Sequence, residues 1–120
     1  MNLLIVDDHA GMRAMIRDLL SEFATQIREC ATAEEALSVC RHYVPDCVTM
    51  DLRMGAMSGL ECTRRIRELH PTTNIAVVTQ FKHDTLRTYS QAVGADTFIG
   101  KDDLYALKRY VEILANRLNS

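Results

Sequence analysis

Short apolar runs alternate with longer stretches of helical periodicity along the chain, and this rhythm restricts the fold more than any other feature. Leu3-Leu4-Ile5-Val6 is apolar at every position, as a strand covered on both faces must be. Cys47-Val48-Thr49-Met50, Ile75-Ala76-Val77-Val78 and Thr97-Phe98-Ile99 repeat the type, and Gln26 to Ala31 is a weaker candidate. Between these runs apolar residues recur every three or four positions. Met12, Met15, Ile16, Leu19, Leu20 and Phe23 form the first such stripe; Leu104, Leu107, Val111, Leu114 and Leu118 form the last. Thr32 with Glu35, and Ser58 with Glu61, have the spacing of capping boxes, and the helices they open stop before Pro45 and Pro71. A shorter helix is predicted over about Asp84 to Val93, capped by Gly94. Five strands alternating with five helices predict an α/β fold: one parallel sheet with helices on both faces.

At 120 residues the chain is expected to be a single domain, 1–120, able to bury a core without staples. Lys and Arg number 14 against 16 Asp and Glu, which argues against a basic nucleic-acid surface or a polybasic membrane patch. Cys30, Cys40, Cys47 and Cys62 show no C-x-x-C spacing, and His9, His42, His70 and His83 no H-x-x-x-H, so a zinc site is not expected. Cys30 and Cys47 sit in strand-like runs and read as buried thiols of a reducing cytoplasm. The apolar opening after Met1 is too short for a signal segment or a membrane span.

In an open α/β sheet, ligands bind beyond the carboxyl ends of the strands. Here those ends carry the polar residues: Asp7 and Asp8 after the first strand, Asp51 after the third, Thr79 after the fourth and Lys101 after the fifth. Like charges of this kind cost on the order of 4 kcal/mol per pair at about 4 Å and an effective dielectric near 20. Either a pKa rises or a cation binds. All-oxygen ligation with few protein groups suits Mg²⁺, which pairs readily with phosphate oxygens. A carboxylate, a hard cation, an ammonium and a hydroxyl together can stabilise a phosphoryl group in transfer.

At these residues the sequence resembles a known family. Leu4-Ile5-Val6-Asp7-Asp8-His9, Met50-Asp51-Leu52-Arg53-Met54 and Gly94-Ala95-Asp96-Thr97-Phe98-Ile99-Gly100-Lys101 look like the response-regulator receiver domain of two-component signalling, over the whole chain. The resemblance implies a flavodoxin-like, doubly wound five-stranded sheet of order 2-1-3-4-5. It implies Asp51 as phosphoacceptor. It also implies a Mg²⁺ held by Asp8, Asp51 and the Arg53 carbonyl, with Asp7 acting through a bound water. Lys101 and Thr79 match the groups that hold the phosphoryl, and Thr79 and Phe98 match the switch pair. The implied partners are a histidine kinase or phosphotransfer protein and a downstream protein. Such a domain catalyses its own phosphorylation and dephosphorylation without being an enzyme in the ordinary sense. The opening and the residue after Lys101 look most like the subfamily whose members often carry LuxR-type output domains; no such domain lies in these residues, so the chain reads as a lone receiver or an excised fragment.

Three departures from the family pattern stand out. Gly55 replaces a usual proline and is expected to loosen the loop carrying the Arg53 carbonyl. Gln80 replaces a small residue; with Arg53 and Phe81 it is expected to set how long the phosphoryl group survives. Asp102 replaces a proline after Lys101, and the family habit predicts a cis Lys101-Asp102 bond that aims the lysine at Asp51. The lack of a tyrosine hydroxyl on Phe98 predicts an inward ring even without phosphate. Of the remaining residues, His9 reads as a solvent-facing loop residue, Met12 and Met15 as core, and Arg64, Arg65 and Arg67 as a solvated face. Tyr105 and Tyr110 are candidates for a partner surface.

Three other functions compete. A protein-interaction module that is never phosphorylated does not need the intact acids. A flavodoxin-like cofactor binder needs a phosphate cradle, which Asp8-His9-Ala10-Gly11 does not supply. A Mg²⁺-dependent phosphatase needs an insertion long enough to form a lid.

Overall fold

Every apolar run becomes a strand. In the computed structural model, which describes residues 1–119, the strands are β1 (Asn2–Val6), β2 (Gln26–Cys30), β3 (Cys47–Met50), β4 (Asn74–Thr79) and β5 (Thr97–Gly100). All pair in parallel, in the order β2-β1-β3-β4-β5. The helices are α1 (Ala10–Leu20), α2 (Ala33–Cys40), α3 (Gly59–Leu69), α4 (Asp84–Ala92) and α5 (Leu104–Leu118), with a 3₁₀ turn over Ser21–Phe23 after α1. This is the doubly wound, flavodoxin-like arrangement expected. Its chain reverses direction across the sheet between β1 and β3.

Period-two alternation in the strands divides the core into two layers. Leu4, Val6, Val48, Met50, Ile75 and Val77 pack with Ala33, Ala36, Cys40, Cys62 and Ile66 of α2 and α3. Leu3, Ile5, Cys47, Ala76, Val78 and Ile99 pack with Ile16, Leu20, Leu107, Val111 and Leu114 of α1 and α5. Both expected capping residues act as such: Thr32 accepts from the Glu35 N–H at 3.1 Å and Ser58 from the Glu61 N–H at 3.2 Å. The four thiols are buried and unpaired, and burial pushes Cys30 and Cys40 up to about 11 and Cys47 and Cys62 up to about 12. They are therefore poor nucleophiles at neutral pH.

Two expectations are corrected here. Met15 is 55% exposed; the α1 stripe that reaches the core runs through Ile16 and Leu20, and Met15 sits on its flank. Arg67 is no part of a solvated face, unlike Arg64 and Arg65, which lie exposed and pair with Glu61. Its guanidinium donates to the carbonyls of Gly94, Pro71 and Thr73 and pairs with Asp96 at 2.7 Å. One side chain thereby ties the end of α3 to the turn before β5, with Asp96 also accepting from the Ile75 N–H at 2.8 Å.

Candidate functional site

The sheet topology delivers the strand-end residues to one place. Asp7 leaves β1 with its N–H donating to the Cys30 carbonyl of β2 at 3.1 Å, and the Asp51 N–H donates to the Val6 carbonyl at 2.9 Å. Asp7 and Asp51 are therefore fixed by the sheet itself, at 1% and 6% exposure. Asp8, one residue farther, is exposed. Carboxylate oxygens of Asp7, Asp8 and Asp51 lie within 4.8 Å of one another. Lys101 reaches over from the end of β5, its ammonium 2.8 Å from Asp7 and 3.4 Å from Asp51. The closer partner is Asp7, not the Asp51 expected from the sequence.

The electrostatics follow from this packing. Burial, and then the Asp7 charge, push the Asp51 carboxyl up to about 6, against the pull of Lys101 and a hydrogen bond from the Arg53 N–H. Burial works against the Lys101 charge, but the hydrogen bond to Asp7 and the two carboxylate charges outweigh it and hold its pKa above the ordinary lysine value. One ammonium thus pairs with two of the three crowded acids. Hard oxygen donors, one of them solvent-facing, and a surplus of negative charge fit a divalent cation of the Mg²⁺ type.

Thr79 is fully buried at the end of β4, and its Oγ1 accepts from the Phe81 N–H at 3.1 Å. That bond occupies a lone pair and leaves the hydroxyl proton to donate elsewhere. Phe98 is 8% exposed, in the inward position expected, with the Arg87 guanidinium 4.9 Å from its ring centre. Above the acids opens a cleft of about 360 Å³ lined by Asp8, His9, Met12, Asp51, Arg53, Gln80, Phe81 and Lys101. The Arg53 guanidinium stacks 4.2 Å from the centre of the Phe81 ring, joining two of the loops at its mouth. The three residues expected to tune turnover therefore all border the cleft.

The cis Lys101-Asp102 expectation is overturned: among the described residues no peptide bond is cis. A trans chain suffices because the Lys101 N–H is anchored to the Thr79 carbonyl at 2.8 Å, leaving the side chain free to reach the acids. Asp102, standing where proline is usual, pairs instead with Lys82 at 2.6 Å. Gly55 adopts φ +42°, a backbone angle closed to the proline it replaces. His9 is exposed as expected, but it also caps α1, its Nδ1 accepting from the Met12 N–H at 3.1 Å. Tyr105 is 76% exposed, whereas Tyr110 is half-buried and donates to Asn74 Oδ1 at 2.9 Å.

Two residues of the site were missed in the sequence. Gly59 opens α3 directly against the strand end: a Cβ there would lie 2.0 Å from the Asp51 carbonyl oxygen. Arg13 of α1 donates to the Asp7 carbonyl at 2.7 Å. Both act on backbone carbonyls, which no sequence pattern marks. The only available signals were a glycine at a helix start and two arginines one turn apart on a mostly apolar helix.

The comparisons with known proteins agree with this geometry. Residues 3–112 match the family model described as the response regulator receiver domain. The chemotaxis protein CheY of Thermotoga maritima is 31% identical over 112 residues, covering 92% of each chain. A protein-glutamate methylesterase/protein-glutamine glutaminase of Hahella chejuensis is 35% identical over 96 residues, 79% of this chain but only 28% of that protein. A LuxR-family two-component response regulator from Aurantimonas sp. superposes with a TM-score of 0.83 at 28% identity, over 96% of this chain and 85% of its own. By sequence and by fold, the chain belongs to the response regulator receiver domain family.

Proposed function

We propose that this chain, residues 1–120, is a single receiver domain whose Asp51 accepts a phosphoryl group from a histidine kinase or phosphotransfer protein in the cytoplasm and hands the signal to a downstream protein. The observation that carries the reading is the buried Asp51 carboxylate flanked by two further acids and faced by one ammonium. Asp8, Asp51 and the Arg53 carbonyl would hold Mg²⁺, with Asp7 acting through a water. When bound there, such a cation would supply positive charge to the transferred oxygens. Asp51 is the nucleophile, attacking phosphorus in line as the bond to the donor nitrogen breaks. Lys101 neutralises charge on a phosphoryl oxygen, and the free Thr79 proton donates to another. The domain catalyses its own phosphorylation and its own dephosphorylation, and is consumed as a substrate in the first.

The switch runs through Thr79 to Phe98. With the ring buried already, phosphorylation acts mainly on Thr79 and the β4–α4 loop that hydrogen-bonds it, and Phe98 contributes a population shift instead of a full rotation. The whole reading is tested by incubating the chain with a small phosphodonor, with Mg²⁺ or with EDTA, and weighing the intact protein. One phosphoryl group is expected with Mg²⁺ and none with EDTA; labelling of equal extent in both would contradict it.

Gln80 is exposed at the rim of the cleft, where it obstructs the water that must approach phosphorus opposite the Asp51 oxygen. Gln80→Ala should shorten the phosphoryl lifetime about twofold, equivalent to roughly 0.5 kcal/mol in the barrier. A longer lifetime in the variant would mean that the amide orients the attacking water.

A further inference from the structure

Asp7 has four polar groups, and three are held by the elements already described. Its N–H donates to Cys30, its Oδ1 accepts from the His9 N–H at 2.8 Å, and its Oδ2 faces Lys101 at 2.8 Å. The fourth is its carbonyl, which belongs to the peptide plane joining Asp7 to Asp8. That carbonyl accepts from Arg13 Nη1 at 2.7 Å. The same guanidinium turns its Nε to Glu29 Oε1 at 3.3 Å, and the other Glu29 oxygen accepts from Arg17 Nη1 at 2.8 Å. Glu29 is in the sheet, paired in register with Ile5 of β1. A fixed carboxylate on β2 thus orients an arginine on α1, and the arginine locks the peptide at the end of β1.

Asp8 depends on that peptide for its direction. Its carboxylate is exposed, and among the described residues it has no hydrogen-bond or ion-pair partner of its own. Nothing but the backbone aims it at Asp7 and Asp51. We infer that Arg13, oriented by Glu29, is a positioning residue for the cation site: it fixes the Asp7–Asp8 peptide so that the free Asp8 carboxylate joins the other two acids. The inference rests on the proposed Mg²⁺ site and adds to it two residues that touch neither metal nor phosphate. A planar fork is needed for the task, because lysine cannot reach the carbonyl and the Glu29 carboxylate together.

The sign of the effect separates positioning from simple charge. Arg13 is a cation near a cation site, so as a point charge it opposes Mg²⁺, and its removal would tighten binding. As a positioning residue its removal weakens binding. The test is calorimetric titration of the metal-free chain with MgCl₂, for wild type, Arg13→Ala, Arg13→Lys and Glu29→Gln. It is paired with the Asp8 amide signal and its hydrogen exchange in metal-free protein by NMR. Arg13→Ala should raise the Mg²⁺ Kd roughly tenfold, the low end of what loss of a supporting contact costs a metal site. Arg13→Lys and Glu29→Gln should fall between it and wild type, and the Asp8 amide should exchange faster in all three. If Arg13→Ala fails to fold, Arg13→Lys, which keeps the charge and loses the planar fork, still decides the matter. Unchanged or tighter Mg²⁺ binding in the variants would overturn the inference while leaving the site intact. Absence of Mg²⁺ binding by the wild-type chain would overturn the site reading, and this inference with it.

Discussion

Replacing Asp51 should make the metal-free protein more stable. Burial, and then the Asp7 charge, push the folded Asp51 carboxyl up to about 6 from an ordinary value of 3.8. An acid whose folded pKa lies above its unfolded one binds protons more tightly when folded, so stability falls as pH rises from about 4 to about 6 and stays reduced above that. A rise of that size corresponds to about 3 kcal/mol, already net of the attraction to Lys101. Asp51→Asn removes the charge and keeps the shape. In EDTA at pH 7.5 it should unfold at higher denaturant concentration than wild type, by up to about 3 kcal/mol, with the difference closing near pH 4. Added Mg²⁺ should raise the stability of wild type and narrow the gap, because the cation binds the folded state alone. A variant less stable than wild type in EDTA at neutral pH would show that Lys101 more than offsets the crowding of the acids.

The second large effect is expected at Gly59, which carries no side chain but abuts the backbone of Asp51. A Cβ there meets the Asp51 carbonyl oxygen at 2.0 Å and the Leu52 Cα at 2.8 Å, so backbone and not a side chain must move. The Gly59 N–H also donates to the Leu52 carbonyl at 3.0 Å, so the helix start cannot retreat without losing that bond. Alanine favours the helix by about 1 kcal/mol over glycine, while overpacking of this kind costs about 1–3 kcal/mol. Net stability should therefore change little to moderately, and the larger loss should be kinetic. A displacement near 1 Å at a reacting carboxylate can cost roughly 10²-fold in rate. Gly59→Ala that remains folded by circular dichroism should accept phosphate from a small donor roughly that much more slowly. Wild-type labelling kinetics in a folded variant would mean that the loop after Asp51 absorbs the clash.

These two predictions mark the limit of what the sequence discloses. The strands were legible because β1, β3, β4 and β5 are covered on both faces and so are apolar almost throughout. β2 lies at the sheet edge with mostly exposed residues, and its pattern was correspondingly weak. Parallel topology brings all carboxyl strand ends to one rim, so Asp7, Asp8, Asp51, Thr79 and Lys101 could be assembled without coordinates. Residues that act on main-chain oxygens could not. Arg67 looks like any exposed helix arginine until the Gly94, Pro71 and Thr73 carbonyls are placed beside it. Arg13 and Gly59 are hidden for the same reason. Met15 failed differently: a helical stripe fixes which residues share a face to within one position, and the flank of that face is solvent. The trans Lys101-Asp102 bond departs from the family habit, at a position where Asp102 stands in place of the usual proline and pairs with Lys82.

Asp51 is proposed to carry the phosphoryl group with help from a divalent cation bound among three acids. This proposal is tested most directly by intact-mass measurement of wild type and Asp51→Asn after incubation with a small phosphodonor and MgCl₂. Wild type should gain one phosphoryl group, a gain lost in EDTA, and Asp51→Asn should gain none. Full labelling of Asp51→Asn, or no labelling of wild type under any Mg²⁺ concentration, would contradict it.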